Sequence, residues 1–214
     1  NFLQSTTYFG ETSGPVIHAI ELLGPQGAIG LTGAIGPQGP AGVGGFIHWI
    51  GQEFGGGVIF HLFKDAQGVE HGLIVDKTDL STAQVWSNID ATLIGVSAQS
   101  SWDGLSNSNA IVGQASHTNS ASALCLNSTN GGQSDWYLPS IDELSLLWHS
   151  RFNVNKSLSA IGGATVLLTL PNVANYWSST EIDSTNAWYF NFTGGNVNYG
   201  TKPNTRYVRA VRAF

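Results

Sequence analysis

The chain has no methionine, a single cysteine and little charge, with 8 Lys and Arg and 14 Asp and Glu making up 10% of its 214 residues. Each shortage excludes something. Cys125 alone cannot form an intrachain disulfide, so stability must come from packing or association, and the lone thiol is expected to be buried. No run of about 18 apolar residues is present, so neither a spanning helix nor membrane insertion is expected. A net charge of −6 with so few basic residues argues against nucleic acid as a partner, because phosphate binding draws on clustered Lys and Arg. With no methionine at position 1 or elsewhere, the chain is expected to be a processed or truncated product.

Catalytic and metal-binding patterns are missing too. His18, His48, His61, His71, His117 and His149 form no H-E-x-x-H pair. Asp76, Asp79 and Asp183 lie in no D-x-D-x-D-G calcium loop. No G-x-S-x-G, P-loop or dinucleotide fingerprint occurs, and nothing in the sequence brings Cys125 to a histidine. No metal, cofactor or enzymatic activity is expected.

What is there is apolar and neutral. Hydrophobic residues make up 42% and aromatics 11% of the chain, enough for a folded core. A typical soluble domain carries about 25% charged residues, so this surface must be built from Ser, Thr, Asn, Gln and Gly, which suits an extracellular location.

The strongest periodicity is in glycine. Gly24, Gly27, Gly30, Gly33, Gly36, Gly39, Gly42 and Gly45 stand in one phase, an unbroken Gly-X-Y register through Gly44. A collagen triple helix needs glycine at every third position because only hydrogen fits where three chains meet, so the phase predicts a homotrimer. A flexible linker would need no phase. Only Pro25, Pro37 and Pro40 supply proline, and at a rise of roughly 3.1 Å per residue the rod is about 65 Å long. So short a stalk needs clamps at its ends. Residues 1–23, with Phe2, Leu3, Tyr8, Phe9, Val16, Ile17, Ile20, Leu22 and Leu23, are too apolar for a solvated tail and read as an N-terminal clamp or docking segment.

Residues 46–214 have the composition of a globular head. Val58–Phe63 and His71–Val75 read as a hairpin around the turn 65–68. A polar stretch from Trp86 to Asn109 precedes a helix or helical turns expected between Ala110 and Leu126. Ser140 and Glu143 make a capping box ahead of Ile141, Leu144, Leu147 and Trp148, the clearest helix signal in the chain. Strands are expected over 176–179, 187–192 and 207–214, giving a mixed α+β head.

An ordered series of motifs then becomes informative: Gly57-Val58-Ile59-Phe60, His71-Gly72-Leu73-Ile74, Asp135-Trp136-Tyr137-Leu138-Pro139-Ser140, Tyr176-Trp177-Ser178-Ser179-Thr180-Glu181, Ala187-Trp188 and the terminal 208–214. Over residues 46–214 it resembles the C-terminal domain of the Legionella collagen-like protein family. That resemblance implies a C-type-lectin-like or formylglycine-enzyme-like head, trimerisation after a collagenous stalk, and adhesion to surface glycans at the bacterial cell surface. The name-giving protein binds sulfated glycosaminoglycans through a basic surface. This chain is net acidic, so that specificity is not carried over.

The candidate ligand residues lie between 188 and 206: Trp188, Tyr189, Asn191, Asn196, Asn198, Tyr199, Lys202, Asn204 and Arg206. Aromatic faces with amides suit sugar recognition, the ring stacking on a pyranose while amides meet hydroxyls. An ordinary polar hairpin turning at 193–196 fits the same residues. Half of the basic residues fall at Lys202, Arg206, Arg209 and Arg212. On one continuous strand Arg206 and Arg212 share a face opposite Arg209, and salt bridges to acids such as Glu181 or Asp183 compete with anion binding. Two functions therefore stay open: a trimeric receptor-binding or adhesive fibre tip recognising glycans, and an assembly component docking through residues 1–23 on a cell-surface or outer-membrane complex. A phage fibre fits the same features.

Overall fold

A computed structural model describes residues 45–167 and 174–214, all within the compact unit Gly42–Phe214. The clamp segment 1–23 and the glycine run up to Gly42 lie outside the described residues.

The head is α+β. Strands β1 (Glu53–Phe54), β2 (Gly57–Lys64) and β3 (Glu70–Asp76) are followed by β4 (Ser81–Val85). Helices α1 (Gly104–Val112), α2 (Ala121–Leu126) and α3 (Ile141–Ala160) come next. Strands β5 (Asn175–Glu181), β6 (Asn186–Asn191), β7 (Asn196–Thr201), β8 (Thr205–Val208) and β9 (Val211–Ala213) complete the chain. They form a four-stranded sheet in the order β1-β2-β3-β9 and a five-stranded sheet in the order β4-β8-β5-β6-β7.

The β2–β3 hairpin forms as its pattern predicts. Asp65 holds the turn by accepting from the Gln67 and Val69 amides, and Gly68 takes the positive φ that the turn requires. The capping box also closes: Ser140 Oγ accepts from the Glu143 amide and Glu143 Oε2 from the Ser140 amide at 2.7 Å. Two orphan donors of α3 are thereby satisfied. Ile141, Leu144, Leu147, Val154 and Leu158 then face one core cluster with Val58, Phe60, Tyr176 and Phe190. A second cluster gathers Trp86, Trp136 and Trp177 around Ile59, Ile74 and Ile111. All three indoles are fully buried, and each N–H finds a carbonyl: Ser178, Asn130 and Gln84 respectively. Those bonds fix ring orientation as well as burial.

One expectation is met in part and one is corrected. The helix or helical turns expected between Ala110 and Leu126 are the end of α1 and the whole of α2: Asp103 caps α1 earlier by accepting from the Ser106 amide and Ser120 caps α2 separately, with Ser116 at φ 66° between them. The strand expected over 207–214 is divided: β8 lies in the five-stranded sheet and β9 in the other. Arg209, at the crossing, is buried and donates to Asp79 Oδ1 (2.7 Å) and the Asp76 and Thr165 carbonyls. The three arginines therefore do not alternate along one strand.

A face of the five-stranded sheet as a candidate binding site

The β6–β7 hairpin carries most of the residues singled out by sequence, and its register sorts them. Trp188 faces Tyr199, Tyr189 faces Asn198 and Asn191 faces Asn196. Since side chains alternate along a strand, Trp188 and Tyr199 lie on one face while Tyr189, Asn191, Asn196 and Asn198 lie on the other. On the first face Trp188 meets Tyr199 edge-on at 6.0 Å and packs against the α3 core cluster, leaving Tyr199 63% exposed.

The second face is more polar and holds Arg206. Its guanidinium lies 3.5 Å from the centroid of the Tyr189 ring and 4.6 Å from that of buried Trp177. The approach depends on Gly200, because a Cβ there would collide with the Arg206 Nη2 and lie 3.6 Å from Asn204 Nδ2. Asn204 thus joins the same edge of the site. The parallel pair Tyr176–Tyr207 sets Asn175 beside Arg206.

Every other strongly placed cation of the terminal region is neutralised. Lys202, expected at the ligand surface, is instead fully buried: its ammonium donates to Glu181 Oε1 at 2.8 Å and to the Thr92 and Ser184 carbonyls. Glu181 in turn accepts from the Ile94 and Gly95 amides. All three ammonium protons of Lys202 are used, so it has none to offer a ligand. Arg209 pairs with Asp79, and Arg212 grips Asp135 with two nitrogens at 2.6 and 2.8 Å. Asp183 meets no lysine or arginine in an ion pair among the described residues. It accepts from the Thr185 and Asn186 amides at the β5–β6 turn.

Arg206 differs. Among the described residues no carboxylate pairs with it, and its Nε is buried without an acceptor. Burial disfavours its charge and lowers its pKa, against a smaller favourable contribution from Tyr189. Asn175 Oδ1, also buried, has no donor. Buried polar groups in folded proteins are normally satisfied, so an unused donor and an unused acceptor on neighbouring strands set this face apart from the paired cations around it. Asn191 serves the turn, accepting from the Gly194 amide at 2.6 Å, whereas Asn196 and Asn204 are exposed at the rim. This is a half-buried aromatic floor with a planar donor on it and amides around it, suited to polyhydroxyl or oxyanion ligands.

With that surface defined, comparison with known families becomes decisive. The model of the Lcl C-terminal domain matches residues 77–212. The chain belongs to the Lcl C-terminal domain family. Its matched span contains the whole of the Tyr189–Arg206 face of this Lcl C-terminal domain. No curated protein matches the chain.

Sequence reading missed Asn175, Trp177 and Gly200 as parts of the site. Asn175 and Trp177 share a strand face by the period of two, but the parallel pairing that brings Arg206 to them has no local signal. Elsewhere in the Lcl C-terminal domain, Cys125 is fully buried and its thiol pKa is pushed up, first by burial and then by Asp76. Such a thiol is held in its unreactive form. Among the described residues no three His, Cys, Asp or Glu side chains converge as a metal site, and no helix is long and apolar enough to cross a membrane.

Proposed function

We propose that the chain is the non-catalytic, glycan-binding end of a trimeric bacterial surface fibre, with a lectin-like head carried on a short collagen stalk. The Tyr189–Arg206 face is its saccharide site. The observation that carries this reading is the half-buried Arg206 guanidinium, 3.5 Å from the centroid of the Tyr189 ring and without a carboxylate partner among the described residues. A pyranose seated on this face would meet the partly exposed guanidinium of Arg206, while Asn198, Asn196 and Asn204 meet peripheral hydroxyls. Family membership and the phased glycines support an adhesin-like setting. Three heads on one stalk would multiply a weak single-site affinity.

The test is a broad glycan array probed with the intact chain and with Arg206→Gln. Selective binding by the former, reduced at least tenfold in the latter, is expected. A blank array for the intact chain overturns the reading.

A further inference from the structure

A second surface lies where the head begins. Residues 45–48 are held firmly: Lys64 Nζ donates to the Gly45 carbonyl at 3.1 Å, and Glu70 accepts from the Ile47 and His48 amides and from the His48 ring at 2.6 Å. Lys64 and Glu70 are themselves a facing pair next to the turn of the β2–β3 hairpin. The backbone is thus anchored, yet its side chains turn outward. Ile47 is 81% exposed, Trp49 63%, Phe46 48%, and Phe63 on β2 45%. A cluster of large apolar side chains on an immobilised backbone marks an interaction surface, since ordering it in water costs entropy with no burial in return.

We infer that this collar is where the heads of three copies of the chain pack against one another. The occupant follows from connectivity. The glycine run in strict threefold phase ends at Gly45, and Phe46 is the next residue, so three chains sharing a triple helix must bring three collars together. The short, proline-poor stalk also needs such a clamp. Burying Phe46, Ile47 and Trp49 between copies would supply it by removing apolar area from water. The inference rests on the threefold assembly put forward under Proposed function.

The test compares the full-length chain with Ile47→Ser/Trp49→Ser and, as a control, Phe152→Ser, which alters an equally exposed aromatic on α3 (71%). Mass is followed by light scattering over a dilution series. The collar variant should dissociate at a concentration at least tenfold higher than wild type or the control. A wild-type trimer whose collar variant dissociates no more readily overturns the collar inference and leaves the threefold reading standing. A wild-type chain that is monomeric throughout overturns both. A variant that keeps its trimer but no longer floats with phosphatidylcholine–phosphatidylglycerol vesicles assigns the surface to a membrane, which likewise overturns the inference.

Discussion

Lys202 and Arg206 sit four residues apart with opposite fates. Lys202 lies inside a closed set of bonds with Glu181 and two carbonyls. Removing one partner of a buried ion pair leaves the other charge uncompensated and costs about 3–5 kcal/mol. Lys202→Met should therefore destabilise the head by about that amount in urea unfolding, and Glu181→Leu added to it should restore much of the loss. An unchanged midpoint for the single variant would contradict this account. Asp183 makes the pH prediction at this scale. Amide donation from Thr185, then the Asn186 side chain, holds its carboxyl down at about 2 against an ordinary 3.8. A carboxylate depressed by folding contributes stability above its unfolded pKa, which fades as pH falls from 3.8 toward about 2. A carbon-13 titration of the Asp183 carboxyl should find a midpoint near 2; a midpoint at the ordinary value would show that the turn does not hold it.

Among elements, the β6–β7 hairpin matters most, and what makes it a site is an absence. Gly200 leaves the space across which Arg206 reaches Tyr189. Gly200→Ala should push the far end of Arg206 aside, abolishing saccharide binding while changing stability by less than about 1 kcal/mol, because the displaced atoms are the terminal nitrogens of a long side chain and not backbone. Binding and unfolding measured on one preparation check both halves. Elements whose signals are local were legible in the sequence: the β2–β3 hairpin from its turn residues and alternation, and α3 from Ser140, Glu143 and the spacing of Ile141, Leu144 and Leu147. The split of the terminal strand was not, because β8 and β9 take different partners through the distant contacts of Arg209 with Asp79 and Thr165. The candidate residues were legible as a composition but not as a site. Register puts Trp188 and Tyr199 on one face and Tyr189 with Arg206 on the other, and folding takes Lys202 into the interior.

At the scale of the whole molecule, a head of low charge uses nearly every ion pair for structure. Lys202, Arg209 and Arg212 are all tied to carboxylates, and Arg206 alone of the four terminal cations has none among the described residues. The proposed division of labour follows: glycine phase and collar bring three copies together, and the Tyr189–Arg206 face of each meets the ligand. The most direct test is the nitrogen-15 signal of the Arg206 Nε–H, assigned by its loss in Arg206→Lys, during titration of the intact chain with the saccharide strongest on the array. A saturable shift is expected as the saccharide seats beside the Arg206 guanidinium. A signal that stays fixed while the saccharide binds would contradict it.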